Sequence, residues 1–323
     1  MKGDKLAAIA LAAVLAPAAP ARALDPYPVR AITVVVPLAP GTTADFLARL
    51  FAERLSGRMG QQVVVSNRPG AGGLIGAQAV ATAPADGYTL LLANSGLTIL
   101  SALNKDVPFD PVRDFAGVAM IGEAAAIVAV PPSLGPRDLK SFVDLAKAAP
   151  GTINYASAGI GTATHLAGAY FAHAAGISMV HVPYRAGSTL IADLVAGRVQ
   201  ATFAPAAFML PMLQDGKLRA LAVAALEPMR GPVAVPTAHA SGVDYDYATW
   251  YGFLAPANTS AVVLQDLGTA ISAVAQDADL RGRVTAQGIE PRAIALRDFD
   301  VHIRREMERL APLTKSLGSE LGN

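Results

Sequence analysis

The chain has 323 residues, of which 53% are hydrophobic and 16% charged, with 26 basic and 25 acidic residues and no cysteine. Such a composition supplies a sizeable core, argues against disorder, and at this length fits two lobes. It excludes disulfides, thiol catalysis, thiolate metal sites and a lipid-modified cysteine anchor. The near-balanced, scattered charge leaves no footprint for nucleic acid or an anionic membrane.

The N-terminus reads as a secretory signal. Lys2 and Lys5 precede an unbroken apolar run over residues 6–16; Pro17 ends it, and Ala21-Arg22-Ala23 is a small-x-small cleavage pattern. The run falls short of the ~20 residues that cross a bilayer. The competing reading is a buried first helix. Cleavage near Ala23 leaves 23 basic and 24 acidic residues and sends a soluble protein, with no stable membrane anchor, to the periplasm.

Beyond residue 23, short β runs alternate with helical stretches, the pattern of an α/β fold with a mostly parallel sheet. Strand 32–36 leads into a helix over 43–56. Strand 63–65 follows, then a glycine-rich segment opening a helix that runs through Ala83, then strand 88–92. Residues 117–130 read as two apolar segments separated by Gly122-Glu123. A helix over 139–148, strand 153–156, helix 165–175, strand 179–182, helix 190–196 and strands 199–203 and 218–222 come next. Strand 249–254, helices near 260–275 and 278–286, a strand near 289–293 and an amphipathic helix over 297–316 end the chain.

Two segments share one plan. Strand 32–36 runs into Pro40-Gly41-Thr42-Thr43 and a helix; strand 153–156 runs into Gly159-Ile160-Gly161-Thr162 and a helix. Each puts a Gly/Thr loop between a strand's carboxyl end and a helix N-terminus, where open α/β sheets bind ligands and free N–H groups favour an anion. An ordinary capped turn is the other reading of each loop. Asp45 reads better as a cap than as a contact, and His165 as a packing or hydrogen-bonding residue. Arg185, in the turn 183–187, is a cation that could meet a carboxylate or simply stand in solvent.

Other chemistries lack their signatures. His165, His173 and His181 are spaced by eight and share no helical face, so no metal site is expected. Residues 70–76 read G-x-G-G-x-x-G, yet the strand some 20 residues on carries no acid for a nucleotide ribose. No phosphate loop and no G-x-S-x-G nucleophile elbow occurs. No cofactor is expected.

Ordered motifs from Tyr27 to about Ser316 are specific together. They include Tyr27-Pro28, Pro40-Gly41 with Asp45, Asn67-Arg68-Pro69-Gly70-Ala71-Gly72-Gly73, Asp86-Gly87-Tyr88, Tyr155-Ala156-Ser157 with Gly161-Thr162 and His165, His181-Val182-Pro183-Tyr184, residues 216–222 and Trp250-Tyr251-Gly252. With these the chain resembles the tripartite tricarboxylate transporter substrate-binding family, or Bug family. The resemblance implies a type II periplasmic-binding-protein fold: two α/β lobes joined by two crossover strands, with a ligand cleft between them. The crossings fall near 122–126 and 246–250, so lobe one is 24–123 plus 249–323 and lobe two 124–248.

It also implies a monomeric carrier, not an enzyme, that captures a small carboxylate for a two-subunit membrane permease. A sensor presenting its ligand to a signalling partner, or an enzyme on the same scaffold, is the alternative. Carried over, the ligand loop of lobe one is Pro40, Gly41, Thr42, Thr43, Ala44 and Asp45, with Ser95 facing the cleft. Lobe two gives Ser157, Gly161, Thr162 and His165, with Tyr184 and Gly187 beside them and Phe203 and Ala204 below. The chain departs from the family at Thr42, in place of a second glycine, and at Ala44, where a polar residue is common. It departs again at Ala204, where an aspartate is frequent. Losing that carboxylate implies a ligand with an apolar or aromatic body that is not an amino acid.

Overall fold

The structure, a computed structural model, describes residues 27–104, 106–227 and 232–316; the segment expected to be a secretory signal lies outside them. In chain order the elements are β1 (Ile32–Val36), α1 (Thr43–Met59), β2 (Val63–Asn67), α2 (Leu74–Ala81), β3 (Thr89–Asn94), α3 (Gly96–Leu103) and β4 (Phe115–Val130). Then come α4 (Leu139–Ala148), β5 (Ile153–Ser157), α5 (Ala163–Ala175), β6 (Met179–Pro183), α6 (Gly187–Val195), β7 (Ala201–Pro205), α7 (Ala206–Gln214) and β8 (Arg219–Val223). The last are β9 (Ala248–Pro256), α8 (Ala261–Ala275), α9 (Ala278–Thr285), β10 (Glu290–Ala295) and α10 (Arg297–Ser316).

The strands make two sheets of one plan. In the first, β1 lies parallel between β2 and β3, and β9 closes antiparallel on β3. In the second, β5 lies parallel between β6 and β7, and β4 closes antiparallel on β7. The order β2-β1-β3-β9 thus repeats as β6-β5-β7-β4. β1 and β5 are the strands at which the chain turns first to one side and then to the other, the point where open α/β sheets leave a crevice at the strands' carboxyl ends. β1 reads ITVVV, β-branched throughout and almost wholly buried, as a strand covered on both faces should be.

β4 joins the two sheets. Its first part pairs with β9 and β10; from Ala126 onward it pairs with β7 and β8. The expected break at Gly122-Glu123 is absent, and the two apolar segments are one strand of 16 residues. Register shifts against β9 between Gly117 and Ala119 and between Met120 and Gly122 let it bend without ending. Glu123, a breaker on paper, is paired on the strand's flank by Arg292 of β10.

The lobes also share core. Ile99 of α3 and Leu310 of α10 pack among the buried residues of the second sheet, with Phe142, Phe171 and Tyr245. Neither α3 nor α7 was expected. α3 reads GLTILSAL, mostly apolar and too short to display a 3.6-residue stripe, and α7 contains Pro211. Buried Glu306 of α10 accepts from Thr98 Oγ1 of α3 at 3.0 Å and from the Trp250 indole of β9. That carboxylate ties the terminal helix to a crossing strand.

Gly168, midway along α5, lies against Tyr155, and a Cβ there would fall 2.2 Å from Cε2 of that ring. Tyr155 is itself held by Phe203 and His181, at 5.9 and 5.0 Å between ring centroids. Alanine gains up to about 1 kcal/mol over glycine in a helix, whereas overpacking a core costs about 1–3 kcal/mol. Gly168→Ala should therefore lower the unfolding free energy in urea; a net gain would contradict this packing.

Candidate ligand-binding site

The loops after β1 and β5 are built alike, residue for residue. Gly41 has φ +80° and Gly161 φ +76°, a left-handed turn that glycine takes without strain. The next residue is the N-cap: Thr42 at φ −78°, ψ 163° and Thr162 at φ −82°, ψ 161°. Thr42 Oγ1 donates to Ala39 O at 2.9 Å and accepts from Asp45 N at 3.4 Å. Thr162 Oγ1 donates to Gly159 O at 2.6 Å and accepts from His165 N at 3.4 Å. Three residues past the cap, a buried side chain reaches back to the glycine. Gly41 N donates to Asp45 Oδ2 at 3.0 Å, and Gly161 N to His165 Nδ1 at 3.2 Å.

Asp45 and His165 therefore do the same work: each turns away from the cleft and clamps its loop. Burial raises the Asp45 carboxyl, but bonds from Arg49, Gly41 N–H and Asn67 outweigh it and hold the group below its usual range.

With the third N–H of each helix taken by its cap, the first two have no acceptor within the helix. These belong to Thr43 and Ala44 on α1 and to Ala163 and Thr164 on α5. All four residues line one cavity of about 40 Å3, together with both capping threonines. No charged side chain lines it among the described residues. Thr43, Thr202, Thr249 and Tyr251 supply polar lining. Leu38, Leu190, Ala204, Pro205 and Phe208 form an apolar side. Two helix dipoles and four N–H donors, with no carboxylate in the lining itself, suit the head of an anion.

Of the residues expected at the site, Thr42, Thr43, Ala44, Thr162 and Ala204 line this cavity. Tyr184 and Gly187 line a larger adjoining chamber of about 740 Å3. Pro40 and Gly41 are exposed and lie outside both, while Gly161, like Gly41, shapes its loop from behind the lining. Ser95 is buried beneath the cleft, its Oγ accepting from Trp250 N at 3.1 Å. Phe203 lies on the far face of β7, packed on Phe171 at 4.9 Å. Successive strand residues face opposite ways, so Thr202 and Ala204 meet the cavity and Phe203 cannot. The same alternation on β9 brings in Thr249 and Tyr251 around Trp250; that period-two signal was present in the sequence and was passed over.

Ser157 Oγ lies 2.6 Å from His181 Nε2, and the His181 ring stacks on His165 at 3.8 Å. This is not a nucleophile and its base. Ser157 is fully buried, and its Oγ also accepts from Gly159 N and lies 3.2 Å from Gly159 O. Burial pushes the His165 imidazole down to about 4, and burial with the neighbouring His165 pushes His181 down to about 3. Both rings are neutral pillars beneath the second loop.

A cleft between two α/β lobes, floored by paired helix N-termini, is the arrangement of a solute-binding receptor. The chain belongs to the tripartite tricarboxylate transporter family receptor family, whose profile matches residues 47–319. It is similar to protein BugT of Bordetella pertussis, 31% identical over 97% of this chain and 96% of that one. Among solved structures it resembles R. palustris Rpa4515 with adipate, at 31% identity and TM-score 0.87, covering 91% of this chain and 99% of that one. It also resembles MatC (Rpa3494) from Rhodopseudomonas palustris with bound malate, at 28% identity and TM-score 0.81, over 88% and 99%. These relatives are binding receptors and not enzymes, and this chain is one of them. Among the described residues no helix is long and apolar enough to cross a membrane.

The buried imidazoles make stability depend on pH. Unfolded histidines take up a proton below about pH 6.5, whereas the folded chain refuses it until about pH 4 at His165 and about pH 3 at His181. Their contribution is complete above pH 6.5 and is lost as pH falls toward 4, by up to about 1.4 kcal/mol per unit for each ring. Burial raises the Glu306 carboxyl, which acts in the opposite sense; comparing His181→Asn with the wild type cancels it. Urea titrations between pH 7 and 5 should show a shallower fall for the variant, and equal slopes would contradict neutral burial.

Proposed function

We propose that this chain is a periplasmic receptor that captures a small organic carboxylate and delivers it to a two-subunit membrane permease. The observation that carries the reading is the pair of matched helix N-termini lining one cavity, each with two N–H groups to spare. A carboxylate held there accepts charge-assisted hydrogen bonds, shorter and stronger than neutral ones, and lobe closure strengthens them by excluding water. The adipate and malate of the two related structures are acids of this kind. Leu190, Ala204 and Phe208 favour a ligand whose body is apolar or aromatic and which carries no ammonium group. The lobes are residues 24–123 plus 249–323 and residues 124–248. The hinge lies in β4 near 122–126 and at the start of β9 near 246–250, where few residues absorb the closure.

A thermal-shift screen of organic acids on the protein without its signal segment tests this. An acid at 100 times its Kd should stabilise the fold by about 2.7 kcal/mol, and free amino acids should not. Gly161→Val puts a β-branched residue at φ +76°, with its Cβ 3.0 Å from Leu100 Cδ1, and should abolish binding in a folded protein. Unchanged affinity in the folded variant, or binding of amino acids in place of simple acids, would contradict the reading.

A further inference from the structure

The inner cavity, about 40 Å3, is small. A water takes roughly 10–15 Å3 on the same measure, so a carboxylate group fits and a six-carbon body does not. The body must leave through the outer chamber of about 740 Å3. The two spaces adjoin, sharing Leu38, Thr42, Ala158, Leu190 and Phe208 in their linings.

Arg185 is the one charged side chain lining the chamber among the described residues. It stands exposed and makes no hydrogen bond or ion pair there. The acid that could neutralise it from the adjoining helix, Asp193, is already engaged. Asp193 accepts from Tyr184 Oη at 2.8 Å and from Arg198 at 2.5 Å. Those bonds also commit the Tyr184 hydroxyl, which leaves its ring as chamber wall. An unpaired guanidinium thus sits in an otherwise uncharged, largely apolar chamber, beyond a cavity that holds one anionic head.

We propose that Arg185 forms a second anion subsite and selects ligands that carry a negative group at each end. One carboxylate rests on the N–H groups of Thr43, Ala44, Ala163 and Thr164, the body runs along Leu38, Leu190 and Phe208, and the far carboxylate meets Arg185. The planar guanidinium matches a carboxylate's two oxygens, which a lysine would not do. This rests on the inner cavity being a carboxylate site, and the experiment separates the two.

Calorimetric titrations compare hexanoate with adipate and octanoate with suberate, on the wild type, Arg185→Gln and Arg185→Lys. The wild type should prefer a diacid to the monoacid of equal length. Arg185→Gln should weaken the preferred diacid tenfold or more, in keeping with the strength of hydrogen bonds to charged groups. It should leave monoacids within about twofold, and Arg185→Lys should fall between. Diacid binding unchanged in Arg185→Gln, or equal losses for monoacid and diacid, would overturn the subsite while leaving the inner site standing. Absence of binding by all four acids to the wild type would overturn the inner site, and the subsite with it.

Discussion

Four backbone N–H groups, two from each of two helices, are left over at the floor of one cleft, and the surrounding structure serves to keep them so. An N–H without a partner is costly to bury. It persists only where the chain around it is held firmly. Here the clamp from Asp45 to Gly41 on one side, and from His165 to Gly161 on the other, fixes each loop from behind. The capping threonines satisfy the third N–H and stop there. An aspartate and a histidine are chemically unlike, yet each supplies the same acceptor at the same offset.

The sheets explain why these two loops meet. Each loop leaves the central strand of a parallel trio, and each trio is closed by a strand that belongs to the junction, β9 in one case and β4 in the other. Because β4 is continuous through both sheets, the carboxyl ends of β1 and β5 address a common space. α3 and α10 add a second tie, burying Ile99 and Leu310 in the core of the opposite lobe and holding Glu306 between Thr98 and Trp250. The closure proposed above would have to bend β4 and slide α3 and α10 against the second sheet.

Much of this could be read from the chain. The Gly-Thr pairs at 41–42 and 161–162 follow β-branched or apolar strands, and local geometry alone fixes what such loops do. Asp45 and His165 were legible as loop-holding residues from their place in the first helical turn, although the family resemblance counted both among the ligand contacts, which they do not reach. Ser95 and Phe203 were not. Ser95 is diverted by a long-range bond to Trp250, which no local pattern announces. Phe203 sits one residue off the cavity's face, where a shift of one position reverses the side chain. α3 stayed hidden because a short, mostly apolar helix shows no stripe, and the unbroken β4 because its bulges tolerate Gly122 while Arg292 pairs Glu123. Arg185 was visible as a cation in a turn, but only the engagement of Asp193 elsewhere shows that it is unpaired.

The most direct measurement is the amide proton spectrum of the folded protein as an organic acid is titrated in. Backbone N–H protons that take up a carboxylate move downfield and exchange more slowly with solvent. Thr43, Ala44, Ala163 and Thr164 should shift together, and more than their neighbours along α1 and α5. An acid that binds and stabilises the protein while those four resonances stay in place would contradict the central claim.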